Sequence, residues 1–281
     1  METNLEIAQS LFKQNKYQEV INSCNQILTT DTNSIEALKL LAKSFLAIRK
    51  IEDARLSLTK ILNVKPDDCE AIKDLGNTFL AVGDFITAKQ YYKKAIAIHS
   101  SYAPALSNLG NIELNAGNKQ EALSLLIQAT ESDPLLAAAW GNLAHGYNQL
   151  GKEKEAELSI RKSIEINPNL FNSHYLLGLI LIKQKKPQEA EQALLQSIAI
   201  NPHFAEAHSN LGAVLKGLGK LKEAEICQRK AIELNPNFAE AHSNLGIILR
   251  NLGNLKEAEI YQRKAIELNP NFAEAHSNLG N

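Results

Sequence analysis

The stretch NPNFAEAHSNLG occurs at residues 235–246 and again at 269–280, and NPHFAEAHSNLG occurs at 201–212. The three copies start 34 residues apart, and the last one ends one residue before Asn281. A constant spacing of this kind is the signature of an internal repeat, and repeats decide the architecture of a chain before any single helix does.

The repeat extends back to the start of the chain. Gly280 and every residue reached from it in steps of 34 are glycine or alanine, nine positions in all, and the earliest is Ala8. When this small residue is numbered position 8, position 20 is alanine in seven of eight repeats and position 32 is proline in six. The sequence therefore predicts one array over 1–281, with repeats at 1–34, 35–68, 69–102, 103–136, 137–170, 171–204, 205–238 and 239–272, and a partial ninth at 273–281.

Each repeat has the pattern of two helices. In repeat 8, apolar residues recur at helical spacing until Gly253 supplies a turn. A second amphipathic run starts after Asn254, a residue favoured at helix N-caps, and ends before Pro270. Small residues at positions 8 and 20 let the two helices approach closely. Because one hairpin cannot bury its apolar face alone, neighbouring repeats are expected to stack.

The period, Leu-Gly at positions 7 and 8, Ala at 20 and Pro at 32 resemble the tetratricopeptide repeat family. Trp140 occupies position 4, where that family often has tryptophan, and the "NLG" first helix is similar to the superhelical arm of O-linked N-acetylglucosamine transferases. The resemblance implies an all-α, right-handed superhelical α-solenoid. The sequence departs from the family at the turn-glycine position, which holds Asn15, Arg49 and Lys185, and at position 11 of repeat 4, where Glu113 replaces an apolar residue and predicts looser packing.

Composition narrows the function classes. Thirty Lys and Arg residues balance 31 Asp and Glu residues, so the basic face that nucleic acid requires is not expected. No apolar run is long enough to span a membrane, and the start METNLEIAQS is not that of a signal peptide. Three distant cysteines, Cys24, Cys69 and Cys227, are typical of a reducing compartment, so we expect a cytoplasmic protein.

The sequence predicts no catalytic, cofactor or metal site. GYNQLGKE at 146–153 fits the spacing of a phosphate-binding loop, but Glu153 replaces the Ser or Thr that would hold magnesium. His174, His208, His242 and His276 recur at position 4, yet equivalent residues on stacked helices lie about 8–10 Å apart. One zinc ion cannot collect ligands at that separation, so a packing role is predicted for these histidines.

Binding is expected on the first helices, which line the concave groove in the tetratricopeptide family. Position 6 is asparagine in five repeats, at Asn108, Asn142, Asn210, Asn244 and Asn278. An asparagine amide can both donate to and accept from a peptide unit. The alternative is that these residues only keep an open groove hydrated. Peptide binding is favoured, because a merely solvated face more often carries lysine and glutamate.

Repeat-specific residues would set specificity. Tyr175, Leu176 and Leu179 form an apolar stripe that either anchors a partner or is covered by self-packing. Lys73, Asn77 and Asn108 match the first part of the carboxylate clamp found in some tetratricopeptide domains. Ala138 and Asn142 lack the basic groups that complete it.

The predicted function is a non-catalytic scaffold that binds extended protein segments. Two alternatives remain open. The chain is a substrate-recruiting arm of a larger enzyme, such as a glycosyltransferase, that continues beyond Asn281, or it is a structural array that self-associates through its open C-terminal end. Of the two explanations for the abrupt end, truncation is preferred, because an uncapped end favours open-ended assembly.

Overall fold

The computed structural model describes residues 3–273 and Ser277. Within these residues there is no β-strand, and two α-helices fall in each of the eight 34-residue intervals. The helices are α1 Asn4–Lys13, α2 Tyr17–Thr30, α3 Ile35–Ala47, α4 Ile51–Val64, α5 Cys69–Leu80, α6 Phe85–Ile98, α7 Ala103–Asn115, α8 Lys119–Ser132, α9 Ala137–Gln149, α10 Glu153–Ile166, α11 Phe171–Lys183, α12 Pro187–Ile200, α13 Ala205–Gly217, α14 Leu221–Leu234, α15 Ala239–Asn251 and α16 Leu255–Leu268.

The helices form two compact units, residues 1–139 and 140–281. In the N-terminal unit each helix from α1 to α8 packs against the next one along the chain, and the C-terminal unit repeats this order from α10 to α16. First helices of neighbouring repeats also touch, as α13 and α15 do. Sequential packing of helix hairpins confirms the predicted all-α solenoid within each unit.

The stretch that reveals the repeat builds the corner between repeats. Asn235 Oδ1 accepts a hydrogen bond from the backbone N–H of Asn237 (3.2 Å), which closes a turn. Pro236 follows the end of α14 at Leu234. Its carbonyl oxygen accepts a hydrogen bond from Nε2 of His242 (2.9 Å). His174 and His208 make the same bond to Pro168 and Pro202. These three histidines therefore fasten the corner to the next first helix, while His276 lies outside the described residues.

Small residues bring the two helices of a repeat together, as expected. A Cβ atom added to Gly110 would lie 2.7 Å from Cγ of Leu126 and 3.2 Å from the carbonyl oxygen of Ala122. Gly178 is equally close to Leu194. Position 8 therefore contacts position 24 of its own repeat, and the alanine at position 20 lies beside it.

Repeats 7 and 8 carry glutamine at position 24. Oε1 of Gln262 accepts from Oγ of Ser243 (3.2 Å), and its Nε2 donates to the Ser243 carbonyl oxygen (2.9 Å). Gln228 and Ser209 make the equivalent pair. The glutamine amide is thus satisfied although it is buried.

The predicted start of the helix after Asn254 is confirmed, but the expected cap by the Asn254 side chain is absent. The helix after Asn254 begins at Leu255 as predicted, but the Asn254 side chain makes no capping hydrogen bond. Asp68 and Asp84 do cap their helices, accepting from the N–H groups of Ala71 (2.9 Å) and Thr87 (3.0 Å). An aspartate carboxylate before α5 and before α6 thus fulfils the capping role that the sequence suggested for asparagine.

The turn between the two helices keeps one backbone conformation whether or not glycine is present. Gly253 has φ +86°, and Asn15, Arg49 and Lys185 have φ +60°, +60° and +58° at the equivalent position. A side chain in this left-handed region costs about 1–2 kcal/mol. The three departures seen in the sequence therefore leave the fold unchanged and raise its energy.

Lys185→Gly is expected to stabilise the protein. Glycine removes the strain of a side chain in the left-handed region. This gain exceeds the free-energy cost of glycine's greater conformational entropy in the unfolded chain, so the net stabilisation should be about 0.5–1 kcal/mol. Urea denaturation followed by circular dichroism measures it. Gln196→Gly, an exposed position inside α12, is the matched control and should destabilise by about 1 kcal/mol. A lower urea midpoint for Lys185→Gly would contradict the interpretation.

Candidate functional site

In the C-terminal unit the candidate site lies on the first helices. Here α11, α13 and α15 lie side by side in contact, and we call their exposed sides the first-helix surface. Tyr175, Leu176 and Leu179 are on α11, Asn210 on α13 and Asn244 on α15, and all five are half-buried. Asn142 is half-buried on α9. Asn278 lies outside the described residues.

The amide of Asn210 is held in one orientation by two hydrogen bonds. Nδ2 donates to the hydroxyl oxygen of Tyr175 (3.1 Å) and to the carbonyl oxygen of Glu206 (2.9 Å). Both amide N–H groups are therefore engaged within the protein. Oδ1 has no donor among the described residues, so the amide offers a partner an acceptor and no donor. This differs from the two-way pairing that the sequence suggested.

The ring of Tyr175 packs against Phe204, which in turn packs against Phe171. It meets the Phe204 ring edge-on at 4.8 Å between centroids, and Phe204 meets Phe171 in the same way at 5.2 Å. Edge-to-face contacts of this kind favour a single ring position. Burial raises the pKa of the Tyr175 hydroxyl, so it remains protonated at neutral pH. Sequence reasoning missed both phenylalanines, because neither occupies a groove position in the repeat.

The apolar stripe on α11 is covered in part by the chain itself. Tyr175 and Leu176 pack against the core of the C-terminal unit, which includes Leu177. Leu179 is half-buried, and Ile182 one turn further on is 37% exposed. The stripe is therefore self-packed at its start and open towards its end.

The residues at position 5 of repeats 7 and 8 face the interior. Ser209 and Ser243 are buried, and their hydroxyls donate to Gln228 and Gln262 on the second helices. These serines therefore belong to the interior of each repeat, whereas Asn210 and Asn244 beside them are half-buried.

In the N-terminal unit, Lys73, Asn77 and Asn108 come together around one carboxylate. Asp74 accepts hydrogen bonds from Nζ of Lys73 and from Nδ2 of Asn77 (3.1 Å). Oδ1 of Asn77 accepts from Nδ2 of Asn108 (2.9 Å) and from the Tyr92 hydroxyl (2.7 Å). Burial raises the pKa of Tyr92 to about 12. Of the three residues that resemble part of a carboxylate clamp, Lys73 and Asn77 thus already bind a carboxylate of the chain itself, and Asn108 donates to Asn77.

The neighbouring charges of repeats 2 and 3 are also paired. Lys39 contacts Asp68 (3.0 Å) and Glu70 (2.8 Å), and Lys43 contacts the other oxygen of Glu70 (2.8 Å). Burial disfavours the charged form of Glu70, but the hydrogen bonds from the two lysines outweigh it and lower its pKa to about 2. This charged stretch therefore presents compensated ion pairs.

Other site types find no support in the part of the chain that the structure describes. No three histidine, cysteine or carboxylate side chains converge there as a metal site would need. Every described helix is too short or too polar to cross a bilayer.

Comparison with known families fits this geometry. The model of the family described as the cilia and flagella-associated protein 70 C-terminal domain matches residues 36–279. The chain belongs to this family of tetratricopeptide repeat domains. No curated protein matches the chain at the significance required.

Solved tetratricopeptide structures superpose on large parts of the chain. The APC/C hetero-tetramer Cut9-Hcn1 gives a TM-score of 0.80 at 17% identity, over 99% of this chain and 55% of that chain. This tetratricopeptide chain thus spans about half the length of that match. PilF of Pseudomonas aeruginosa gives 0.69 at 19% identity, over 76% and 98% of the two chains. YrrB, described as a TPR protein with an unusual peptide-binding site, gives 0.56 at 26% identity, over 66% and 96%.

Proposed function

We propose that this tetratricopeptide repeat chain is an interaction scaffold that binds an extended protein segment along its first helices. The observation that carries the proposal is the fixed amide of Asn210, whose oxygen alone is left for a partner. The described peptide-binding site of YrrB supports binding of a peptide by a repeat array of this kind. The interaction residues are Asn108, Asn142, Asn210 and Asn244 for the backbone and Tyr175, Leu176 and Leu179 for an apolar side chain.

The spacing of Asn210 and Asn244 suits an extended chain, because they lie on neighbouring first helices, whereas Leu176 interrupts the series on α11. Neighbouring helices lie about 8–10 Å apart, and an extended peptide advances about 3.3–3.6 Å per residue. Peptide N–H groups about three residues apart would therefore meet the oxygens of Asn210 and Asn244. Because Tyr175 and Glu206 hold the Asn210 amide in place before binding, little side-chain entropy is lost when the bond forms.

The N-terminal unit selects against an acidic end. Asp74 already accepts from Lys73 and Asn77, so a free C-terminal carboxylate would have to displace it and leave a second negative charge nearby. In our proposal Lys73 and Asn77, through the network they share with Asn108, contact an internal stretch of a segment bound to the N-terminal unit. The proposed ligand of the N-terminal unit is therefore an uncharged internal segment. That of the C-terminal unit is an extended segment with one large apolar side chain near Leu179.

Selection from a phage-displayed library of random 16-residue peptides tests this proposal. A selected peptide is synthesised, and its dissociation constant is measured by calorimetry for the wild type and for Asn210→Ala/Asn244→Ala. Loss of two hydrogen bonds of about 1 kcal/mol each should weaken binding about 30-fold. Tyr175→Phe keeps the ring contacts with Phe204 but releases the Asn210 amide, so a smaller loss of a few-fold is expected.

The matched control is Asn169→Ala/Asn237→Ala, which changes two exposed asparagines in the corners between repeats. It should leave the dissociation constant unchanged. Undiminished binding by Asn210→Ala/Asn244→Ala, or failure to select any peptide on the wild type, would overturn the proposal. The alternative of a substrate-recruiting arm uses the same surface, so it is tested by the same variants within the longer protein that it requires.

A further inference from the structure

The second helices of the C-terminal unit share a stripe of mostly exposed side chains, whose arginines and glutamates make ion pairs within the unit. It consists of positions 18, 22, 25 and 29 of the repeat, which fall on one face of a helix because they are spaced by four, three and four residues. In α14 the stripe is Lys222, Ile226, Arg229 and Glu233. The same order, lysine, apolar, arginine and glutamate, recurs in α16 as Lys256, Ile260, Arg263 and Glu267 and in α10 as Lys154, Leu158, Arg161 and Glu165.

Large apolar residues lie at the centre of this stripe and face solvent. Leu158, Ile226 and Ile260 are 72%, 68% and 64% exposed. Between α10 and α14, the stripe of α12 is uncharged, with Leu195 47% exposed at its centre. Single exposed apolar residues are common on proteins, but here one lies at position 22 or position 25 of each of the four second helices of one unit, and such a grouping favours association. We call it the second-helix face.

The arginines of α14 and α16 are paired within the unit. The Arg229 guanidinium pairs with Glu225 (2.8 Å) and Glu257 (2.7 Å), and Arg263 pairs with Glu259 (2.7 Å). Each of these guanidinium groups is thus neutralised by a neighbour within the unit. The aliphatic part of an arginine can then cover an apolar side chain of a partner.

The order of charges along each stripe is complementary to its own reverse. If a second helix of the same kind runs antiparallel across it, position 18 meets position 29, so lysine faces glutamate at both ends. The isoleucine at position 22 then meets the arginine stem at position 25. In a parallel arrangement each charge would instead meet its like, which is destabilising.

We propose that the second-helix face docks on the second-helix face of another copy of this chain, across a two-fold axis perpendicular to the helices. In an isologous contact, residue i of each copy contacts residue j of the other copy. Here Lys222 of each copy meets Glu233 of the other, and Lys256 of each meets Glu267 of the other. The second helices of the N-terminal unit lack the pattern, since their stripes read Gln-Asn-Asn-Thr in α2, Glu-Leu-Thr-Asn in α4, Ile-Gln-Lys-Ala in α6 and Gln-Ser-Ile-Glu in α8. The self-complementary face is therefore confined to the C-terminal unit and does not involve the first helices.

Charge exchange tests the proposal directly. One variant carries Lys154→Glu, Lys222→Glu and Lys256→Glu, and a second carries Glu165→Lys, Glu233→Lys and Glu267→Lys. Sedimentation velocity is recorded from roughly 1 to 100 μM, the range in which contacts of moderate strength dissociate. The wild type should shift to twice the monomer mass, and each variant alone should need about 100-fold higher concentration to do so, because like charges meet. An equimolar mixture of the two variants should regain the dimer, since opposite charges meet again.

An apolar substitution provides the second readout. Ile226→Ser/Ile260→Ser should weaken the dimer at least tenfold, whereas Leu56→Ser, which changes an equally exposed position-22 residue in the N-terminal unit, should not. Circular dichroism confirms that all variants remain helical. A wild type that stays monomeric over this range would overturn the proposal. A dimer whose strength is unchanged by both sets of substitutions would also overturn it, and this is the result expected if copies join end to end. So would a mixture of the two charge variants that fails to associate.

Discussion

Replacing Lys89 with methionine is expected to lower the free energy of unfolding by about 2–3 kcal/mol at pH 7, because a buried carboxylate loses its cation. Glu113 is completely buried. One of its oxygens contacts the Lys89 ammonium, and the other accepts from Nδ2 of Asn118 (2.8 Å). In the variant only the Asn118 bond remains. This loss is smaller than the roughly 3–5 kcal/mol typical of a broken buried pair, because Lys89 is itself partly exposed.

The loss should depend on pH in a defined direction. In the wild type, burial raises the pKa of Glu113, but Lys89 and Asn118 outweigh it and the pKa lies below its usual value. Its stabilising contribution is present above the unfolded-state pKa and is lost as pH falls through the folded-state pKa. Without Lys89, burial dominates and the pKa of Glu113 rises. The variant therefore loses stability only at pH values at which Glu113 is ionised in the unfolded chain. The stability difference between the two proteins should therefore shrink as pH falls from 7 to 4.

Removing the pair altogether provides the control. Position 11 is a large apolar residue in the seven other repeats, namely Leu11, Phe45, Phe79, Tyr147, Leu181, Leu215 and Leu249. Lys89→Met/Glu113→Leu should therefore unfold within about 1 kcal/mol of the wild type, since well-packed apolar residues often replace a buried ion pair without loss. If the double variant is as unstable as Lys89→Met alone, Lys89 stabilises the protein through its own packing and the pair does not.

Glu113 also shows what the repeat pattern could and could not predict. The 34-residue period placed this residue at an apolar position and predicted a looser repeat. The structure instead buries it, because Lys89 lies one helix away on α6 and reaches its carboxylate. A period defines which face of a helix a residue occupies. It does not encode a compensating side chain 24 residues away.

The helix boundaries were predictable for a related reason. The end of α15 at Asn251, the glycine turn and the start of α16 at Leu255 all depend on local residues that the pattern contains. Even Arg49 and Lys185 were correctly placed in the turn, and only the backbone dihedral angles show that they adopt the conformation of glycine.

The candidate site was predictable only in part. Spacing placed Asn210 and Tyr175 on first helices, but their hydrogen bond joins residues 35 positions apart and depends on side-chain rotamers. The hydrogen bonds from Lys73 and Asn77 to Asp74 likewise depend on side-chain rotamers. A motif comparison that reads residue types cannot detect that a site is already filled by its own neighbour. This explains why Lys73, Asn77 and Asn108 resembled the first part of a carboxylate clamp where the structure contains a compensated network.

Gly110→Val is expected to destabilise the protein by about 3 kcal/mol through overpacking. Any Cβ at this position meets Cγ of Leu126 at 2.7 Å and the Ala122 carbonyl oxygen at 3.2 Å. The leucine can change its rotamer, but the carbonyl belongs to the backbone of α8 and cannot move without shifting the helix. Thermal and urea unfolding of the variant measure the loss.

The same substitution at Gly217 is the matched control, because nothing lies within 4 Å of a Cβ added there. Gly217→Val should be neutral or stabilise by a few tenths of a kcal/mol, since valine has the higher helix propensity. A double-mutant cycle with Leu126→Ala then separates the two contacts of Gly110. If Leu126 is the main obstacle, Gly110→Val costs less in the Leu126→Ala background. If the cost is unchanged there, the Ala122 carbonyl sets the helix separation, and alanine or glycine is required at position 8 whatever side chain position 24 carries.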